Sequence, residues 1–240
     1  MPLLPVRLLR DRNRAGANLI MLCVGTAFLA MFFFLTLFVQ SVWGYSALKT
    51  GVAYLPLTAA IIAASGVAAQ FVPRVGASAL LLAGSAVSAG GLYWLSRLTE
   101  HSGYAGGMLG PMLVLGVGFG LLFVPLNLVG LHRVREKESG IASSLLNAGQ
   151  QVGGSIGLAV LGTVAWTVVA NSVHAQTAHT SAANAQPGGP AGPSQEVFTA
   201  IYDHALATGF SRGFLVAAGL ALVIAIAAIR VPRTDLTGNN

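Results

Sequence analysis

Residues 143–164, "SSLLNAGQQVGGSIGLAVLGTV", decide how the chain folds. The stretch is apolar enough for a buried helix, yet it holds Asn147, Gln150 and Gln151 among five glycines. In water each glycine costs a helix about 1 kcal/mol relative to alanine, and a buried amide without a partner costs more. A membrane helix accommodates both. Glycine lets a second backbone come close, while an amide meets a neighbouring helix or a cavity. Gly149, Gly153 and Gly157 recur at i, i+4 and i+8 and form a packing stripe. Asn147 and Gln151 are also four apart and share a face, with Gln150 about 100° round from Gln151.

Composition agrees. The 240 residues are 55% hydrophobic and only 8% charged, with a mean hydropathy of +0.73. Soluble domains carry about 25% charged residues, so this chain cannot clothe its own surface with charge. A spanning helix needs about 20 mostly apolar residues. Six fit between the charge clusters, at about 17–42, 50–72, 77–96, 105–131, 140–170 and 208–229. The expected fold is an all-α membrane protein with a six-helix domain over 17–230 and the lipid bilayer as its surroundings. The lead 1–16 is either an interfacial segment on the cytoplasmic headgroups or a plain basic flank. Residues 172–207 are expected to form an outer loop, flexible where they read "TSAANAQPGGPAGPSQ", and 231–240 a cytoplasmic tail.

The net charge of +6 is distributed by sidedness. With the N-terminus inside, one side holds Arg7, Arg10, Arg12, Arg14, Arg74, Arg133, Arg135, Lys137, Arg230 and Arg233. The other holds only Lys49, Arg97 and Arg212. This positive-inside asymmetry predicts both termini in the cytoplasm and argues against a nucleic-acid partner. Cys23 is the single cysteine and reads as a small packing residue. His174 and His179 lack ligand-spaced neighbours, so neither a metal nor any other cofactor is expected. Asp203 reads as the start of the last helix.

Polar residues sort the helices. The third, "ALLLAGSAVSAGGLYWL", and the sixth, "FLVAAGLALVIAIAAI", carry no amide or ionisable group and are expected to sit outside, facing lipid. The first carries Thr26, Thr36 and Gln40 with a phenylalanine run that includes Phe33; the fourth carries Asn127 near Pro125. Candidate substrate-pathway residues are therefore Phe33, Gln40, Asn127, Asn147, Gln150 and Gln151. The amides serve equally well as helix–helix glue. A faint echo joins "TGVAYLPLTA" at 50–59 to "SGIASSLLNA" at 139–148, 89 residues later, with Gly51/Gly140, Ala53/Ala142, Leu57/Leu146 and Ala59/Ala148 identical. The two copies start on opposite sides of the membrane, as a three-plus-three inverted repeat requires.

The chain resembles the C-terminal six-helix half of a major facilitator superfamily transporter, closest to the 14-spanner drug:proton antiporter class (the EmrB/QacA type). The resemblance rests on "LLRDRNRAGANL" at 8–19, "FFFLTLFVQSVWGYSALKTGVAYLPL" at 32–57, "VPRVG" at 72–76 and "SLLNAGQQVGGSIGLAVLGTV" at 144–164. It implies proton-coupled export of drugs or other hydrophobic or cationic small molecules across the plasma membrane, once joined to an N-terminal half. It also implies a path lined by the first, second, fourth and fifth helices. In "FVPRVGAS" the family's cytoplasmic loop motif keeps Arg74 and Gly76, but Pro73 stands where the fuller motif has aspartate. The membrane-embedded acidic residues usual in the family have no counterpart in the six expected spans. An enzyme is not expected, because the spans hold serines without a base to activate one. Two alternatives stay open: a self-sufficient protein that pairs with a second copy, and an inactive truncated fragment.

Overall fold

A computed structural model describes residues 12–99, 101–131, 134, 138–183 and 195–229. The chain forms α1 (Arg12–Ser41), α2 (Ala47–Ala53), α3 (Leu55–Val75) and α4 (Ala77–Leu95). A π-helical turn, Tyr104–Met108, leads into α5 (Leu109–Leu131), followed by α6 (Ser139–Ala183) and α7 (Gln195–Ile229). Among the described residues, six stretches are long and apolar enough to cross a membrane: Ala15–Ser41, Ala47–Val75, Ala77–Leu95, Tyr104–Leu131, Ser139–Thr177 and Thr199–Val223. The expected six-helix, all-α membrane fold is the observed one.

Local chemistry sets the breaks. Ser46 caps α2, its hydroxyl accepting from the Lys49 N–H at 3.3 Å. Tyr54 separates α2 from α3, with Pro56 in the first turn that follows. Between α3 and α4 the only linking residue is Gly76, at φ 82° and ψ 156°, its N–H donating to the Val72 carbonyl at 3.0 Å. That conformation is essentially confined to glycine, so "VPRVG" reverses the chain within one residue. Gly76→Ala should lower stability by about 1–3 kcal/mol, read as a lower melting temperature in detergent. Gly66→Ala, whose new methyl meets nothing within 4 Å, should not lower it. A Gly76→Ala protein melting with the wild type would remove this account of the turn.

Two expected boundaries are corrected. The fifth helix continues past 170 to Ala183, and the last begins at Gln195 rather than 208, so 172–183 and 195–207 are helical instead of loop. Apolarity ends near 170, but "NSVHAQTAHTSAA" is alanine-rich and free of Pro and Gly; the breakers Pro187, Gly188, Gly189, Pro190 and Pro193 come later. Asp203 consequently lies inside α7 and does not start it. The lead as far as residue 11, the cluster Arg133, Arg135 and Lys137, the segment 184–194 and the tail from Arg230 lie outside the described residues.

The helices α1 and α5 are central. The most extensive packing joins α1 to α6, α4 to α5 and α3 to α5, followed by α4 with α7, α6 with α7 and α1 with α7. In terms of spans, first-with-fifth is mirrored by fourth-with-second, and fourth-with-third by first-with-sixth, which is the symmetry of an inverted repeat. Large aromatics fill the centre: Phe34 stacks on Phe210 at 5.4 Å, and Phe28 meets Phe119 edge-on at 5.1 Å. The third and sixth spans are not simple lipid-facing rods, because they pack on each other. The second span buries 28% and the fifth 39% of its most apolar stretch, against 50–56% for the other four. Small residues let the third and sixth spans come close to their neighbours: Gly84 and Gly91 of α4 sit against α5, and Gly209 and Gly213 of α7 against α6 and α1.

The faint sequence echo is also structural. Ala53, Leu57, Ala64, Ala68 and Val72 are buried, and so are Ala142, Leu146, Gly153, Gly157 and Leu161, each 89 residues on. Their partners correspond as well. A Cβ on Gly116 would lie 2.6 Å from the Cβ of Ala60, and one on Gly120 2.6 Å from that of Ala64. In the other copy, Gly149 and Gly153 face the backbone of Asn18 and Leu22.

Candidate functional site

Two ridges of side chains, each stepping by four residues, run along α6. The first is buried: Gly153, Gly157, Leu161, Ala165 and Val169. It leans on α1 and then on α7. A Cβ on Gly153 would fall on the Leu22 carbonyl, and one on Gly157 on Thr26. The Thr26 hydroxyl, 3.1 Å from the Leu22 carbonyl of its own helix, donates across the contact to the Gly153 carbonyl at 2.7 Å. Further along, Gly209 of α7 sits against Ala165 and Val169. The pairing of α3 with α5 has a similar bond, from the Ser65 hydroxyl to the Gly120 carbonyl at 3.3 Å.

The second ridge is exposed throughout: Asn147, Gln151, Ser155, Ala159, Thr163, Thr167 and Asn171. It is offset by two residues from the first, so it stays about 160° away and points out of the bundle along its whole length. From Asn147 to Asn171 it rises about 36 Å, more than the ~30 Å hydrocarbon core of a bilayer. Its hydroxyls donate into their own helix: Ser155 to the Gln151 carbonyl at 3.0 Å, Thr163 to Ala159 at 2.8 Å and Thr167 to Thr163 at 2.7 Å. Oxygen lone pairs and the amides of Asn147 and Gln151 are left for an outside partner. The ridge therefore offers weak, uncharged hydrogen bonding at every depth. Polar groups at such depth belong against protein or water and not lipid.

The expected pathway residues divide between elements. Asn147 and Gln151 fall on the exposed ridge, whereas Gln150 is half-buried and its backbone carbonyl lies against Gly25 of α1. Phe33 is exposed and meets Phe34 edge-on at 5.8 Å, and Gln40 is exposed at the last turn of α1. Asn127 is exposed on α5, its amide donating to the Phe123 carbonyl of its own helix at 2.8 Å. Thr36 shares a hydrogen bond with the Tyr54 hydroxyl at 3.0 Å, and the Tyr54 ring stacks on Phe32 at 4.8 Å; this is packing between α1 and the second span. Arg74 is exposed in the last turn of α3 with its guanidinium 5.9 Å from the Phe71 ring centre. Among the described residues no group of three or more His, Cys, Asp or Glu is placed to hold a metal. Ser155, Thr163, Thr167 and Asn171 were missed from the sequence, although the four-residue step from Asn147 to Gln151 continues through them.

The Major Facilitator Superfamily profile matches residues 2–158. The cephamycin export protein CmcT of Amycolatopsis lactamdurans is 39% identical over 164 residues, 68% of this chain and 34% of its own length. The puromycin resistance protein pur8 of Streptomyces alboniger is 30% identical over 241 residues, 99% of this chain and 45% of its own. The tetracenomycin C resistance and export protein of Streptomyces glaucescens is 31% identical over 163 residues, 68% of this chain and 30% of its own. The chain spans less than half the length of these relatives. Six apolar spans paired as an inverted repeat, together with this match, place it: the chain is a multi-pass membrane protein belonging to the Major Facilitator Superfamily.

Proposed function

We propose that the chain is the C-terminal six-helix half of a proton-coupled efflux pump of the 14-spanner drug:proton class, the EmrB/QacA type. Joined to an N-terminal half, it exports drugs or other hydrophobic or cationic small molecules. The observation that carries this reading is the exposed polar ridge of α6, which lies on one of the two least buried spans and needs a second body to cover it. That the relatives are named for antibiotic export and are more than twice as long supports it. Uncharged amides and hydroxyl oxygens suit varied cargo, since none imposes a fixed counter-charge. In a joined transporter, Gln151→Ala should shift the relative resistance to different drugs several-fold, while Leu158→Ala, on a neighbouring half-buried ridge, should not. Equal effects of the two would detach the ridge from the pathway.

We place both termini in the cytoplasm and the bundle in the plasma membrane. The ten-to-three split of basic residues supports this orientation. In a Cys23→Ser background, cysteines at Gly103 and Ala175, both exposed, should react with an impermeant thiol reagent added to intact cells. A cysteine at Ser139 should react only after permeabilisation. The opposite labelling pattern would invert the topology.

A further inference from the structure

A second polar feature lies away from the α6 ridge, where α4 ends. The Ser211 hydroxyl of α7 donates to the Ser96 carbonyl at 2.5 Å and clasps the two helices at that level. Beside the clasp is a cleft of about 580 Å³ whose polar lining includes Tyr93, Arg97, Thr99, His204, Thr208 and Arg212. Leu98 and Leu215 give it an apolar floor. Arg97 meets the Tyr93 hydroxyl at 2.5 Å and the Tyr93 ring at 5.1 Å. Among the described residues neither arginine is ion-paired, and Asp203 is absent from the lining. The Thr208 hydroxyl donates to the His204 carbonyl at 2.9 Å, and that of Ser211 is committed to the clasp. The two guanidiniums therefore supply most of the free donors.

The depth of the cleft follows from helix length. The 19 residues of α4 rise about 28 Å, close to the ~30 Å hydrocarbon thickness. Arg74 stands just before its first residue and Arg97 just after its last turn, so they occupy opposite boundaries. Tyr93 and Trp94, each 49% exposed, supply the aromatic belt expected at a membrane–water boundary. A guanidinium matches phosphate oxygens with two parallel N–H donors. We propose that this cleft binds the phosphate of an anionic phospholipid headgroup between Arg97 and Arg212, with the acyl chains running down over Leu215. A headgroup with its own ammonium would bring a third cation beside the two guanidiniums, so an anionic lipid is selected over a zwitterionic one.

The test uses the full chain in a neutral detergent, with thermal melting and native mass spectrometry after addition of phosphatidylglycerol, phosphatidylcholine or inorganic phosphate. Phosphatidylglycerol should raise the melting temperature by several degrees and remain as a bound adduct; the other two should do neither. Arg97→Gln with Arg212→Gln should weaken phosphatidylglycerol binding at least tenfold, while Arg74→Gln leaves it unchanged. Arg97→Lys with Arg212→Lys keeps both charges and should retain part of the shift, which separates loss of the site from loss of fold. An unchanged response in the double glutamine variant would overturn the proposal. So would an equal response to phosphatidylcholine, and inorganic phosphate acting as strongly as the lipid would make this a free-anion site.

Discussion

Gly153→Leu should yield no monodisperse protein. The new side chain would grow into the main chain of α1 at Leu22, and a backbone cannot swing aside as a side chain can. Overpacking a core whose side chains can adjust costs about 1–3 kcal/mol. Here the whole α1–α6 contact must open. It would lose the 2.7 Å bond from Thr26 to the Gly153 carbonyl, worth about 1 kcal/mol, and the contacts along the ridge. The sum is a large share of the 5–15 kcal/mol typical of a folded domain. Gly162→Leu on the same helix, whose Cβ would meet nothing within 4 Å, should express and elute normally. Gly120→Leu should fail as Gly153→Leu does, since it occupies the corresponding contact between α5 and α3. Size-exclusion profiles of the three proteins decide the matter, and a well-behaved Gly153→Leu would refute the close packing.

The second large effect is a missing one. A proton-coupled exchanger needs a group at membrane depth that alternates between charged and neutral forms. Within the described spans, α1, α3, α4 and α5 hold no Asp, Glu or His. Asp203 and His204 belong to α7, but Asp203 precedes Ser211 by eight residues, about 12 Å, and Ser211 is level with the end of α4. His174 lies beyond Val169, which meets Gly209 near that same level. Reconstituted alone in proteoliposomes, the 240-residue chain should insert and show no drug movement driven by a pH gradient. Co-reconstitution with the N-terminal half of a related transporter should restore it. Robust proton-driven efflux by the chain alone would sink the half-transporter reading and favour a pair of identical chains.

Much of this architecture was legible because lipid simplifies the rules: long uncharged intervals become spans. The Gly149, Gly153 and Gly157 stripe was visible because three glycines at one spacing stand out in a helix. Its counterpart, where Ala60 and Ala64 meet Gly116 and Gly120, was not. Alanine is too common in this chain to signal anything, and those two glycines sit among Gly110, Gly118 and Gly130. The amides at 147 and 151 caught attention through their polarity. The hydroxyls that extend their ridge did not, because serine and threonine satisfy themselves against their own helix and pass unremarked in a membrane span. Apolarity also marks where lipid ends but not where a helix ends, which is why α6 and α7 outran their expected limits.

The fixed phase between the two ridges of α6 has a consequence for how such a protein can diverge over generations. Substitutions at 147, 151, 155, 163 or 167 alter only what the outer ridge presents, and the buried ridge does not register them. What that ridge offers a neighbouring surface can therefore drift one side chain at a time on an unaltered scaffold. Insertions and deletions are another matter. One extra residue between Gly153 and Val169 would turn everything downstream by about 100°, moving polar groups onto α7 and carrying Ala165 and Val169 out of their seats. Descendants of this chain should vary freely in spelling along that outer ridge and hardly at all in the length of the helix.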